Sequence, residues 1–389
     1  MKVKNLVLLG IVSYLTMACT QTIIVYKPSK QIDPLPKVES EEDKDAKSKG
    51  LDPMNEDQWA LHKVGISKDV LNKDENLKGN YNVKVAILST GIDYNHKDLI
   101  GQVHVNKSEI TQEGLADEKG YNQKDDDKNG LVDDIVGVDV VDNDGLAYDR
   151  HGAGTAVAGI IAAKTNNATG ISGIMKEVTL YPVRYINDNG QTNLANLLNA
   201  LDVVLKVKPD VVFVQQLQFQ LGGRDKDPAL IEAEISLMKK KLDKIKELKI
   251  PVIVGAGEDI ESFGTSRLDQ VIRSYDNVVV VTSTNESDNL SFLAKYSFTA
   301  VHTSAPGENV LTTQPLNQYG KVSGTAFAAA HVTAAVALAK AKYAEKLSMQ
   351  DLVATLISEK GGDYIQSLDR YSRGGNRLNV VKFLTALAK

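Results

Sequence analysis

The spacing of apolar residues from about residue 58 onwards restricts the possible folds most. Short apolar runs of strand length, at residues 83–88, 178–183 and 278–281, alternate with longer segments of helical periodicity. Apolar runs without polar alternation are typical of strands that helices cover on both faces, and such strands form parallel sheets. The pattern therefore predicts an α/β fold with a doubly wound, mostly parallel sheet and helices on both faces.

Three longer segments carry the helical signal. Between residues 194 and 205, leucines and valines follow the i, i+3, i+4, i+7 spacing of an amphipathic helix. Residues 229–248 predict a helix with a lysine-rich outer face, and residues 325–342 predict an alanine-rich helix. We find no internal repeat in the sequence, so we expect one large domain over residues 54–389.

Charge and cysteine content exclude several classes of function. The 389 residues include 45 Lys and Arg against 50 Asp and Glu, a formal net charge of −5. A slightly acidic chain has no overall electrostatic attraction to nucleic acid, so no nucleic-acid partner is expected. Cys19 is the only cysteine, which excludes an intrachain disulfide and a cysteine zinc cluster.

The first 18 residues have the layout of a secretory signal peptide. Lys2 and Lys4 precede an apolar run at residues 6–15, which is short for a transmembrane helix. The run ends in Thr-Met-Ala-Cys, and the small residue before Cys19 resembles a bacterial lipobox, although the nearest leucine lies four positions before the cysteine rather than three. We interpret the chain as an exported lipoprotein, anchored at the cell envelope by lipid on Cys19. The alternative is a plain signal peptide followed by an incidental cysteine.

Residues 19–53 are predicted to form a flexible linker of acidic and basic character between the lipid and the domain. The stretch from residue 27 to residue 56 is rich in Pro, Lys, Glu, Asp and Ser and has few apolar residues. Such a segment buries too little apolar surface to offset the entropy lost on ordering. An extension that docks on the domain is the alternative.

Three segments are expected at carboxyl ends of strands, where α/β folds place their functional sites. They are residues 85–99, 152–163 and 323–332. In this order, they resemble the signature blocks around the catalytic Asp, His and Ser of the subtilisin-like serine peptidases, the subtilases. The resemblance extends over nearly all of the chain from about residue 58. It implies a subtilisin-like fold and, for the family, serine endopeptidase activity.

The positions that match the family's catalytic residues lack the groups that the chemistry needs. A subtilase uses Ser as nucleophile, His as base, and Asp to orient the His. The matching positions here are Ala326, Ala153 and Ser89. The family's oxyanion Asn is matched by Glu258, whose ionised carboxylate offers no hydrogen-bond donor and repels developing negative charge. By family the chain is a serine endopeptidase, but we predict that it is inactive.

The expected role is therefore binding or scaffolding of an unidentified protein or peptide at the cell envelope. One alternative is an active subtilase with a rearranged catalytic site. A second is a regulator that binds peptides in the former substrate cleft. The bulky Gln215, Gln216 and Leu217 argue against this second alternative, because they replace the Ser-x-Gly stretch with which the family pairs substrate.

The resemblance also implies a structural calcium site between two loops. Calcium requires several oxygen ligands. By resemblance the ligands would be the side chains of Asp98 and Asn167 and the carbonyls of Thr165, Thr169 and Ile171. Gln58 is a candidate to complete this set of ligands. The alternative is a polar turn without metal.

An acidic segment at residues 125–134 is a second calcium candidate. Asp125, Asp127, Asn129 and the following glycine match the beginning of an EF-hand-type loop, and Asp133 is a possible further ligand. The twelfth position is Val136 rather than Glu, so a complete EF-hand is absent. The alternative is a solvated acidic turn, and an ion in either place would be structural.

Overall fold

The structure is a computed structural model. It describes residues 33–37, 52–73, 77–110, 122–215, 217, 227–258, 262–292, 294–343 and 346–388. The predicted signal peptide, the proposed lipid site at Cys19, most of the predicted linker and Gln216 lie outside the described residues. Within them, no helix has the length and apolar character required to cross a membrane.

The central sheet has nine strands, and a separate two-stranded hairpin, β8–β9, lies outside it. The sheet order is β10-β11-β7-β6-β5-β4-β1-β3-β2. Every adjacent pair is parallel except β10–β11. The described strands are β1 (Gly79–Ser89), β2 (Val138–Asp139), β3 (Glu177–Arg184), β4 (Val211–Val214), β5 (Val252–Gly255), β6 (Val278–Thr284), β7 (Thr303–Pro306), β8 (Val310–Gln314), β9 (Gln318–Val322), β10 (Gly362–Tyr364) and β11 (Asn376–Leu378).

Helices cover both faces of this sheet. The described α-helices are α1 (Trp59–Lys63), α2 (Lys68–Lys73), α3 (Ala153–Ala162), α4 (Leu194–Val207), α5 (Pro228–Glu247), α6 (Arg267–Ile272), α7 (Thr325–Tyr343), α8 (Met349–Leu356) and α9 (Val380–Leu387). In β1, Val85 and Ile87 belong to the core shared with α3 and α7. Ala86 and Leu88 belong to the core shared with α4 and α5. This alternation confirms the predicted doubly wound α/β fold.

Helix α7 lies in the middle of one of these cores. It is buried from Thr325 to Ala339, and it packs against α3 and against several central strands. Small side chains permit this close packing. In α3, a Cβ atom at Gly159 would lie 2.2 Å from Thr313 Oγ1 of the hairpin. The Gly- and Ala-rich sequences of the two helices are therefore required by packing.

Residues 33–37 fall within the predicted flexible linker, but they lie against the domain. The Tyr94 hydroxyl donates to the Pro34 carbonyl at 2.6 Å. Asn95 donates from its side chain to the Leu35 carbonyl at 3.0 Å and accepts from Lys37 N at 2.7 Å. These contacts hold residues 33–37 against the domain rather than free of it, because Pro34, Leu35 and Lys37 have tertiary backbone partners that local composition does not reveal.

Candidate functional site

The four positions that match the family's catalytic and oxyanion residues lie at one edge of the sheet. Ser89 is the last residue of β1. Ala153 begins α3, and Ala326 is in the first turn of α7. Glu258 follows β5 by three residues. Because the carboxyl ends of parallel strands share an edge, this edge is the expected place for a functional site.

Ser89 is completely buried beside the beginning of α3. Its hydroxyl donates to the side-chain oxygen of Gln215, which follows the neighbouring strand β4. A Cβ atom at Gly154 would lie 1.8 Å from Gly91 O and 3.0 Å from Ser89 Oγ, so only glycine permits this approach. In the place of a charged group that orients a histidine, the site contains a neutral hydroxyl bonded to an amide.

The backbone at the beginning of α3 is nevertheless held rigidly by Asp149, a residue that sequence reasoning did not single out. Its buried carboxylate accepts five hydrogen bonds of 2.6–2.9 Å. Burial raises the pKa of Asp149, and the hydrogen bonds oppose this shift. The donors are Thr90 Oγ1, the amides of His151, Gly152 and Thr155, and Thr155 Oγ1. The frame around Ala153 is therefore ordered although its side chain has no nitrogen.

The carboxylate of Glu258 lies at the beginning of α7. Its Oε1 accepts from Thr325 N at 2.6 Å and from Thr325 Oγ1 at 2.9 Å. Thr325 Oγ1 also accepts from Gly257 N at 2.9 Å. A helix N-terminus carries partial positive charge and unpaired amide donors, which attract anions. The chain's own carboxylate therefore occupies the anion-binding end of the helix that carries Ala326.

No histidine is paired with a hydroxyl nucleophile in the described structure. All six histidines lie within it, and none accepts a hydrogen bond from a described serine or threonine hydroxyl. His331 is buried, with Nδ1 2.8 Å from the Phe327 carbonyl, and burial lowers its pKa to about 4. His151 is exposed and two positions before Ala153.

The first predicted calcium site is closed by hydrogen bonds. Asp98 is buried, and burial raises its pKa to about 6. Its carboxylate accepts from Asn167 Nδ2 at 2.9 Å, Ile171 N at 3.1 Å and Tyr319 OH at 2.8 Å. Asn167 Oδ1 accepts from Thr169 N at 2.9 Å.

Gln58, the candidate that would complete this set, accepts from Ser172 N at 2.8 Å through its side-chain oxygen. Donors therefore face the side-chain oxygens of Asp98, Asn167 and Gln58 that calcium would need. This loop brings Asp98, Asn167 and Ile171 together as expected, and hydrogen bonds within the protein engage its side-chain oxygens. Two residues of the network, Tyr319 and Asp52, were missed, and Asp52 accepts from the Asn167 amide at 2.9 Å.

The second predicted calcium site has a different composition from the expected one. Of the four predicted ligands, only Asp127 belongs to a carboxylate cluster, with Glu109 and Asp134, whose oxygens lie within 4.8 Å of one another. Burial raises the pKa of Glu109 to about 7. Converging carboxylate oxygens are suitable ligands for a divalent cation. As in the first site, these oxygens already accept hydrogen bonds: Glu109 accepts from backbone amides, and Asp134 accepts from Tyr181 and from asparagine side chains.

The other predicted ligands stabilise turns through hydrogen bonds. Asp125 accepts from the amides of Asn129 and Gly130 at 3.0 and 2.8 Å. Asp133 accepts from the amides of Asn122 and Gln123 at 2.9 Å each. Asn129 donates from its side chain to Asp127 and Asp134 rather than facing them with its oxygen. Asp134 had a sequence signal as part of the same acidic run, whereas Glu109 had none.

A further acidic cluster joins residues 33–37 to the domain. Oxygens of Asp33, Asp139 and Asp144 lie within 4.8 Å of one another, and all three residues are buried. Burial raises the pKa of Asp139 to about 6 and that of Asp144 to about 7. Asp33 pairs with Arg150, and the buried Arg184 pairs with Asp139. Two arginines thus offset much of the charge of this cluster.

Comparisons with known proteins agree with this architecture. The sequence profile described as the subtilase family matches residues 80–374. The major intracellular serine protease of Bacillus subtilis is 31% identical over 283 residues, which cover 71% of this chain and 75% of that protein. The thermophilic serine proteinase of Bacillus sp. strain AK1 is 27% identical over 308 residues, covering 79% of this chain and 63% of the relative.

Longer relatives match as well. Subtilisin-like protease 1 of Plasmodium berghei is 28% identical over 267 residues, which cover 64% of this chain. The match spans only 41% of that Plasmodium protein. The matched region includes every described strand of the sheet except β11, which lies beyond it, and the first residue of β1. On the strength of this match and of the observed fold, the chain belongs to the subtilase family.

Proposed function

We propose that this protein is an exported member of the subtilase family that does not cleave peptides and acts by binding or scaffolding at the cell envelope. The retained fold supports a binding or scaffolding role, whereas the side chains at the carboxyl edge do not support hydrolysis. Neither Ala153 nor Ala326 carries an atom that can move a proton or attack a carbonyl.

The hydrogen bond from Thr325 N to Glu258 is the observation that supports the proposal most strongly. Acyl transfer requires donors aimed at the oxyanion, and here the position of the family's donor carries the Glu258 carboxylate, which accepts the Thr325 amide at 2.6 Å. In a subtilase, loss of the triad lowers turnover by about 10⁶. Loss of an oxyanion donor lowers it by about a further 10²–10³. Together these losses leave no useful peptidase activity.

A rearranged serine peptidase is the second candidate function. It would need a hydroxyl in contact with a base, and the described histidines have no such partner. A fluorophosphonate probe, which labels activated serines covalently, separates the two functions. Labelling that one specific Ser→Ala substitution abolishes would support the enzyme and overturn our proposal.

Reconstruction of the site tests whether only the catalytic and oxyanion side chains are missing. The variant Ser89→Asp, Ala153→His, Ala326→Ser, Glu258→Asn is compared with the native chain for cleavage of casein. We expect no cleavage by the native chain and weak cleavage by the variant. The matched control is the same variant with Ala326 retained, which should be inactive. Cleavage of casein by the native chain, with contaminating peptidases excluded, would contradict the proposal.

Location and metal are separate parts of the proposal. The apolar N-terminal segment and Cys19 support export and lipid anchoring, and Cys19→Ala should move the mature protein out of the membrane fraction. If this variant stays in the membrane fraction, the anchor proposal is wrong.

Any calcium is structural and would be held by Glu109, Asp127 and Asp134, whose carboxylates supply oxygen ligands.

A further inference from the structure

Two adjacent cavities lie at the edge of the sheet opposite the catalytic positions. Their volumes are about 510 and 530 Å³, within the range of about 300–1,000 Å³ that is usual for small-molecule sites. Asn277, which directly precedes β6, and Met349, which begins α8, mark this edge. Both cavities include Asp276 and Met349 in their walls, so they are neighbours.

The walls of these cavities are strongly basic. Six basic side chains contribute to them, and among the described residues Asp276 is the only carboxylate in the walls. The basic residues are Lys246, Lys249, Lys340 and Lys346 in the first cavity and Arg273 and Arg373 in the second. The whole chain has a formal net charge of −5, so this concentration of positive charge runs against the overall composition. We call the two spaces the basic cavities.

Little in the described structure neutralises this charge. Asp276 pairs with Lys246 at 3.0 Å. The other five basic side chains form no ion pair within 4 Å of a described carboxylate. Lys340 is partly buried near the end of α7, where burial lowers its pKa and the negative charge of Asp210 acts in the opposite direction. Like charges held close together repel one another, and an anion between them relieves that repulsion.

The second cavity adds a neutral donor. Val280 N donates to His302 Nδ1 at 3.0 Å, so the neutral ring carries its proton on Nε2. Burial lowers the pKa of His302 to about 4 and keeps the ring neutral at physiological pH. His302, Arg273 and Arg373 line this cavity together. The two arginines are the charged donors of this cavity, beside apolar side chains such as Met349 and Val353, and guanidinium groups fit an oxyanion.

We propose that the basic cavities bind a small anion that carries two or more phosphate groups. Each cavity holds its own set of cations, so a ligand with separated charges can use both. Lysine binds phosphate as a point charge, and arginine binds it through two parallel N–H groups. The concave shape favours a compact ligand over a flat membrane surface. The phosphate can belong to a soluble molecule or to a lipid headgroup that enters the cavities.

Calorimetric titration of the full mature chain with inorganic tripolyphosphate at low ionic strength tests this proposal. We expect saturable binding of one ligand per chain, and weaker binding as salt is added. The double variant Lys249→Gln, Lys340→Gln should lower the affinity about tenfold or more, because each contact to a charged group is worth about 1.5–3 kcal/mol. An unchanged thermal unfolding curve verifies that the variant is folded.

The matched control is Lys240→Gln, Lys244→Gln, which removes the same charge from exposed positions of α5 outside the cavities. We expect an effect of less than about twofold, since exposed charges that do not line the cavities are largely screened by salt. Equal losses in both double variants would show nonspecific attraction and overturn the proposal.

Vesicles that contain phosphatidic acid are titrated in parallel with neutral vesicles. Binding to the anionic vesicles alone, lost in the Lys249→Gln, Lys340→Gln variant, would support a lipid phosphate as the source. Binding of tripolyphosphate, lost in the same variant, would support a soluble source. Absence of saturable binding to both tripolyphosphate and anionic vesicles would overturn the proposal.

Discussion

Replacing Glu258 tests directly whether its carboxylate caps helix α7. Its Oε1 accepts two hydrogen bonds from Thr325, at 2.6 and 2.9 Å. Loss of an N-terminal cap costs about 1 kcal/mol, and loss of a negative charge near a helix N-terminus costs about 0.3–1 kcal/mol. Because the Glu258 side chain is exposed, we use the lower part of this range. Glu258→Ala should therefore lower the free energy of unfolding by about 1–1.5 kcal/mol.

Urea denaturation of three variants separates the two contributions. Glu258→Gln keeps an acceptor but removes the charge, so its loss should be smaller than that of Glu258→Ala and should shrink at high salt. In thermal unfolding, a loss of 1 kcal/mol lowers the midpoint of a domain larger than about 150 residues by about 2–4 °C. Glu286→Ala is the matched control, because Glu286 is exposed and has no hydrogen-bond partner in the described structure. Equal stability of Glu258→Ala and Glu286→Ala would refute the capping role.

Three further predictions concern buried carboxylates. Asp149→Ala should lower the free energy of unfolding by about 3 kcal/mol in urea denaturation, because it leaves buried donors at the beginning of α3 without their acceptor. A loss below about 1 kcal/mol would contradict the role of Asp149 as that acceptor. The raised pKa of Asp144, caused by burial, predicts stability that is complete below about pH 4 and is lost as pH rises through about 7; Asp144→Asn should flatten this dependence in urea titrations. At pH 8, the melting temperature in calcium should be higher than in a calcium chelator. Glu109→Gln should remove this difference in melting temperature. An equal rise in the variant would show that calcium binds elsewhere.

Burial decides how much of the fold could be predicted from the sequence. Residues 83–88 of β1 were recognisable because both faces of the strand are buried, whereas the exposed beginning of β1, from Gly79, carries polar residues that resemble a loop. The hairpin β8–β9 was missed for a similar reason, since β9 is mostly exposed or half-buried and Gln318 and Lys321 face solvent. Patterns of hydrophobicity report burial, and they lose information where a strand lies at the surface.

The site was predictable where function resides in a local motif. Ser89, Ala153 and Ala326 were recognised because each lies within a contiguous block. The partners of these residues could not be recognised in the same way. Glu109 joins Asp134 across 25 positions of sequence, and Gln215 meets Ser89 only because β4 pairs with β1. Contacts of this kind depend on tertiary structure, and a single sequence carries no direct signal of them.

If the chain is anchored through Cys19, the docked residues 33–37 limit how far the domain can move from the membrane. A fully extended chain covers at most about 3.6 Å per residue. If lipid is attached to Cys19, the 14 positions to Asp33 allow a distance of about 50 Å between the bilayer and the docked segment. A chain that was free as far as Asp52 would allow more than twice that reach. With an anchor at Cys19, the contact of Asp33 with Arg150 would therefore restrict the domain to a layer close to the bilayer, and a partner would have to lie within that layer.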